Sequence, residues 1–154
     1  MTEPAAWFAV IAVLGTAVVY GTDVFCALVQ RPALAHVDDR ALVAVMGNVY
    51  RYGDRRMPVP GGLGMAAAAV SAALAVASGR WAQAVAAGSA VGLLVLWLYL
   101  RVSAPINHQL TAAADHPEPP TDALALQRSW DKVITTTAAL QGMAVAALCL
   151  TLLI

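Results

Sequence analysis

The chain has 154 residues and a mass of 15.9 kDa; 60% of the residues are hydrophobic, 12% are charged, and the mean hydropathy is +0.71. That balance excludes an ordinary water-soluble domain, and a formal net charge of +0 with a pI near 6.8 leaves no basic field to hold nucleic acid. Cys26 and Cys149 both lie in apolar runs without CxxC spacing, so neither a metal site nor a disulfide framework is expected.

The first uncharged run, AAWFAVIAVLGTAVVYGT, resumes beyond Asp23 as VFCALV, and the sequence predicts a helix over residues 5–30. At about 1.5 Å per residue such a helix crosses a hydrocarbon core of about 30 Å. Glu3 precedes it and no Lys or Arg does, so the basic start of a cleavable signal is missing and the helix is expected to be retained. Thr16, Tyr20, Asp23 and Gln30 follow one another at intervals of four, three and seven, which puts them on one helical face. A carboxylate in hydrocarbon costs about 2.5 to 3.5 kcal/mol, so Asp23 is expected to face the bundle interior or water. Counted from Trp7 it lies about 24 Å along the axis, near the end where the links emerge. Two roles are open to it: an ion pair with Arg101 or Arg128 that locks helices together, or a functional site.

Between Arg31 and Pro60 the chain reads RPALAHVDDRALVAVMGNVYRYGDRRMPVP. Asp38 or Asp39 can open a helix, and Leu42, Val45, Met46 and Val49 recur at helical spacing, which predicts an additional amphipathic helix between the first and second spans. Such a helix either lies in the membrane interface and clamps the bundle or caps a cavity with Asn48, Arg51, Tyr52, Asp54 and Arg55. The second span, over 59–78, is built largely of alanine and glycine, and Gly61, Gly62 and Gly64 suit close helix approach in lipid. A third span is predicted over 81–102.

The next link, SAPINHQLTAAADHPEPPTD, has a helix start at Ser103 and Pro105 and is broken by Pro117, Pro119 and Pro120. The last helix starts within LALQRSWDKVITTT and spans the membrane over 133–154, with Arg128, Asp131 and Thr135 on one face and Trp130 suited to the interface. The fold expected is therefore all-α: one transmembrane domain over 1–154, an integral membrane four-helix bundle.

Arg31, Arg40, Arg51, Arg55 and Arg56 lie in the first long link, and Arg101, Arg128 and Lys132 lie around the second. Positive charge in short loops resists translocation, so both links are expected in the cytoplasm and both termini outside. The abundance of arginine and alanine suggests a bacterium, which would place the chain in the cell's inner membrane. His36, His108 and His116 all fall in these links. His36 and His108 with Asp23 would give a site acid, base and hydrogen-bonding groups; His116, beside Pro117, reads as solvated.

A first helix ending in GTDVFCALVQRPAL, a third ending in PINHQL and a fourth opening with a tryptophan after a polar loop resemble the anthrone-oxygenase-like family of small four-helix membrane proteins. The likeness covers nearly the whole chain in layout and rests on Gly21, Arg31, Pro32, Pro105, Asn107 and Trp130. After the tryptophan the family commonly has Asn, then His and Arg; this chain has Asp131, Ile134 and Thr137. The resemblance implies oxygenation of an electron-rich aromatic ketone such as an anthrone, with dioxygen as co-substrate and no required flavin or haem. It further implies His108 as base with Asp23 as alternative or orienter, Asn107 and Tyr20 as hydrogen-bond partners of the substrate oxygen, and Trp130 stacked on the ring. The lipid bilayer and a lipophilic aromatic molecule are the partners expected, with a second copy or another membrane protein also open. Two other classes fit the same residues. A small proton-coupled transporter would use Asp23 in a membrane stripe, and a structural or assembly subunit would use the alanine-rich second helix as a docking surface.

Overall fold

Long runs of alanine, leucine and valine with few charges leave the backbone one economical solution in lipid, the helix, because every peptide group must then be satisfied within the segment. A computed structural model describes residues 3–102 and 123–154, with side-chain surroundings for 3–100 and 131–154, and the described residues form no strands. The elements are α1 (Glu3–Phe25), a π-helical turn (Cys26–Gln30), α2 (Arg31–Leu34), α3 (Asp39–Arg56), α4 (Pro58–Ala77), α5 (Trp81–Val102) and α6 (Ala123–Leu153). Four stretches are long and apolar enough to cross a membrane: Glu3–Leu34, Asp39–Ala77, Trp81–Leu100 and Asp131–Leu153. The fold is an all-α bundle of a multi-pass membrane protein.

The four long helices close a ring in which α1 packs on α4, α4 on α5, α5 on α6 and α6 back on α1. Ser71 Oγ donates to the Ala5 carbonyl at 3.1 Å, Gly64 lies against Thr16, and the Thr22 hydroxyl reaches Met57 Sδ at 4.0 Å, so α4 runs antiparallel to α1. The turn from α4 to α5 is a Schellman motif: Gly79 takes φ +68°, Gly79 N–H donates to Val76 O at 3.0 Å and Arg80 N–H to Ala75 O at 2.9 Å.

The interior is made of small residues and the exterior of large ones. Ala5, Ala9, Ala12 and Thr16 of α1 are buried, whereas Trp7, Ile11, Leu14 and Val18 of the same helix are exposed. In water that arrangement would place the wrong surface outside; in lipid, where the tails are as apolar as leucine, association rests on close packing of small residues. Ala12, Ala67, Ala68, Ala90 and Ala144 meet Leu94 and Leu148 in the central cluster. The closest approach is α1 on α4: a Cβ at Gly15 would stand 2.6 Å from the Pro60 carbonyl oxygen, and one at Gly64 would stand 2.9 Å from both the backbone nitrogen and the hydroxyl of Thr16.

The link between the first two spans is helical almost throughout. Asp38 caps α3, its Oδ1 accepting from Ala41 N–H at 2.8 Å. Met57 alone separates α3 from α4, and it keeps right-handed helical dihedrals. Of the expected apolar stripe, Leu42 and Met46 are buried but Val45 and Val49 are exposed. The inward face is instead Leu42, Val43, Met46 and Tyr50, which pack with Leu34 and with Ile134 of α6. Several apolar rows at helical spacing coexist in this segment, and packing against α2 and α6 selects the one that includes Val43 and Tyr50.

Candidate functional site at the centre of the bundle

The polar stripe of α1 decides what lies between the helices. Thr16 and Asp23 are seven residues apart, about two turns, and both are buried, at 2% and 0% exposure. Asp23 Oδ2 accepts two hydrogen bonds: one from Trp97 Nε1 of α5 at 3.4 Å and one from Gln141 Nε2 of α6 at 3.2 Å. Three helices are thereby joined at one carboxylate. An isolated buried charge costs several kcal/mol or more, about 1.5 to 3 kcal/mol being returned by each hydrogen bond to a charged group, so the two donors offset part of the cost of Asp23 at this depth. Tyr20, on the same stripe, is half-buried, and a Cβ at Gly142 would stand 3.1 Å from its ring, so Tyr20 lies beside the residue that follows Gln141.

Gln30 leaves the stripe. The turn Cys26–Gln30 is π-helical, with more residues per turn than an α-helix, so a spacing that is in phase on an α-helix is no longer so beyond residue 25. Gln30 Nε2 lies 2.9 Å from Met46 Sδ and ties the π turn to α3 rather than to Asp23. Asp131, grouped in the sequence with Arg128 and Thr135, faces Arg31 across a 3.7 Å ion pair. The arginine side chain is half exposed, so this pair is worth about 1 kcal/mol or less.

Beside the carboxylate lies a cavity of about 10 Å³, room for one water molecule. Its walls are mostly apolar and come from all four long helices: Thr16 and Val19 of α1, Gly61 and Met65 of α4, Leu94 and Trp97 of α5, and Gln141 of α6. Thr16 Oγ1 and Gln141 Oε1 are buried without a hydrogen-bond partner in the described structure, a condition that costs about 1 to 3 kcal/mol for each group when nothing answers it.

The sequence-predicted site residues are placed unevenly. Asp23 and Tyr20 lie on the inner stripe of α1; His36 is exposed in the turn after α2. Asn107, His108 and His116 lie outside the described residues, as do the side chains of Arg101, Arg128 and Trp130. The partners that Asp23 has here, Trp97 and Gln141, escaped the sequence reading. A signal existed for Gln141, a long uncharged polar side chain interrupting the apolar run of the last span, and for Trp97, which sits inside the third span rather than at its ends. Among the described residues no group of three or more His, Cys, Asp or Glu side chains converges as a metal site.

Chemically, the junction offers a carboxylate able to take a proton, two N–H donors that a proton on Asp23 would release for other acceptors, and a small space next to them lined by Thr16 and Gln141 among apolar side chains. No family model, curated protein or solved structure matches the chain.

Proposed function

We propose that this chain is a membrane-embedded enzyme that oxygenates a lipophilic aromatic ketone of the anthrone type, with dioxygen as co-substrate, and that Asp23 handles the proton. The observation that supports this reading is a fully buried carboxylate held by two N–H donors at the meeting point of three helices. An ionisable residue in a membrane span is a functional-site candidate on energetic grounds.

In this proposal the helices part around Asp23 to admit the substrate from the bilayer, and it presents its acidic ring CH₂ to the carboxylate. The carboxylate takes one proton, leaving an enolate. Trp97 Nε1–H and Gln141 Nε2–H, no longer held by a full negative charge, turn towards the enolate oxygen. The enolate passes one electron to dioxygen, and the resulting radical and superoxide join through a new C–O bond. The proton held by Asp23 completes the hydroperoxide, and loss of the second ring hydrogen with the outer oxygen releases water and leaves a carbonyl. Ring CH₂ and O₂ thus become C=O and H₂O. The family resemblance implies His108 as the base, with Asp23 as the alternative taken in this proposal or as its orienter, Asn107 and Tyr20 as hydrogen-bond partners of the substrate oxygen, and Trp130 stacked on the ring; His36 is assigned to substrate binding from its place in the first long link. The proposed location is a bacterial inner membrane with both termini outside.

The test is oxygen uptake by the detergent-purified protein given an anthrone, corrected for spontaneous oxidation. The proposal expects catalysed uptake that falls at least about 100-fold in Asp23→Asn, the usual scale for removing a general base. No uptake above the spontaneous rate by folded protein overturns it. The cavity's size favours a second reading, in which the Asp23 junction only locks the helices of a structural subunit; under it Asp23→Asn lowers thermal stability and the protein never consumes oxygen.

A further inference from the structure

Three of the buried hydroxyls among the described residues have a carbonyl partner. Thr137 Oγ1 bonds to the Ile134 carbonyl at 2.9 Å, Thr151 Oγ1 to the Ala147 carbonyl at 3.0 Å, and Ser71 Oγ to the Ala5 carbonyl at 3.1 Å. Thr137 and Thr151 turn back to a carbonyl three or four residues earlier on their own helix, a partner open to a helical hydroxyl, and Ser71 reaches across to α1. Thr16 does neither, although it is only 2% exposed.

The unpartnered buried side-chain oxygens among the described residues are Thr16 Oγ1, Gln83 Oε1 and Gln141 Oε1, and Thr16 and Gln141 line one cavity. The orientation of Gln141 follows from its neighbour. An ionised carboxylate only accepts, so the amide must present Nε2 to Asp23 and is left with Oε1 free to accept elsewhere. Gly64 is part of the same construction: a Cβ there would stand 2.9 Å from Thr16 Oγ1, so the absence of a side chain on α4 leaves the hydroxyl its room.

We infer that this cavity is a subsite for a single hydroxyl group, which accepts a hydrogen bond from Thr16 Oγ1–H and donates one to Gln141 Oε1. A hydroxyl matches both vacancies at once, because it carries one donor and two acceptor lone pairs. The cavity's volume of about 10 Å³ admits one oxygen with its hydrogen and no larger polar group. Water supplies such a group, and so does the head of a lipophilic alcohol arriving from the bilayer. Gln141 then links the two halves of the junction, with Nε2 on the carboxylate and Oε1 on the guest, so occupancy of the cavity is felt at Asp23. The subsite rests on the cavity and its orphan atoms and stands whether or not the chain oxygenates an aromatic ketone.

The experiment is nuclear magnetic resonance on the full chain in perdeuterated detergent, with the glutamine side chains labelled with ¹⁵N. Magnetisation transfer from water to the Gln141 side-chain amide is recorded, followed by titration with 1-octanol. The inference expects a cross-peak from water or from the octanol hydroxyl in the native chain, retained in Thr16→Ser and lost in Thr16→Val. If octanol displaces the water signal and shifts the Gln141 resonance, the guest is a lipophilic alcohol; if the water signal persists unchanged, the guest is water. Absence of both signals in a chain that keeps its helical circular dichroism and elutes as a single species overturns the inference, as does an unchanged signal in Thr16→Val. Should Thr16→Val fail to fold, Thr16→Cys provides the second variant: it is close in size, but its thiol is a weak donor, so the cross-peak at the Gln141 amide is expected to weaken, and an unchanged signal overturns the inference.

Discussion

Asp23 concentrates most of what this bundle does with polarity. Its carboxylate is out of reach of solvent and is held by an indole N–H and an amide N–H from two other helices. Removing the acceptor while leaving the donors buried costs about 1 to 3 kcal/mol for each donor that finds no other partner, so Asp23→Leu is expected to destabilise the protein on that scale, read as a lowered midpoint of thermal unfolding in detergent. Asp23→Asn keeps an acceptor oxygen and should lose less than half as much. The opposite substitution at the donor, Gln141→Leu, frees one side of Asp23 and is expected to cost about 1 to 3 kcal/mol. How legible this was in the sequence differs from residue to residue. The depth and inward direction of Asp23 follow from the cost of charge in lipid and from its spacing with Thr16. Its partners do not, because which residues of α5 and α6 come level with it depends on the relative heights of helices, and helix offsets leave no trace in periodicity. The ion pairs with Arg101 or Arg128 considered for Asp23 lie outside the described residues.

Among the elements, the pair α1 and α4 carries the tightest packing, and two of its glycines are there for that reason. A Cβ at Gly15 would be driven to 2.6 Å from the Pro60 carbonyl, and one at Gly64 into the backbone of Thr16. Gly15→Ala and Gly64→Ala are therefore expected to lower the thermal midpoint, whereas Gly92→Ala, with nothing within 4 Å of the added methyl, is expected to be neutral or to gain up to about 1 kcal/mol from helix propensity. Equal effects at all three positions would show that the close approach of α1 and α4 is not what these glycines serve. The sequence pointed to close packing through the glycines of the second span, yet it does not distinguish Gly64, which is pressed against α1, from Gly62, which has open space. At α3 the helix start was legible because a cap is a local matter, and Asp38→Ala should cost about 1 kcal/mol. The buried face of α3 was not, since apolar residues ring enough of the helix to allow several stripes. The π turn was hidden for a similar reason: nothing in CALVQ marks an extra residue per turn, and it displaces Gln30 from the stripe that its spacing predicts.

Across the whole molecule, small residues inside and large apolar residues outside give the bundle the surface of a membrane protein, and the helices alternate in direction around the ring. The sidedness proposed from the arginine-rich links is tested by Glu3→Cys: a membrane-impermeant thiol reagent applied from outside should label it, and labelling from the cytoplasmic side alone would reverse the orientation. The polar junction crosses this apolar interior at one level, where α1, α5 and α6 meet at Asp23 and α4 closes the cavity beside it. Under the proposed function, a lipophilic molecule meets the protein's chemistry at this junction. The most direct measurement is the ¹⁵N spectrum of the indole N–H groups as an anthrone is added without oxygen, so that binding is seen and turnover is not. The account predicts that Trp97, whose indole donates to Asp23, shifts progressively while the exposed Trp7 and Trp81 do not. A spectrum in which Trp97 stays fixed at saturating anthrone would contradict it.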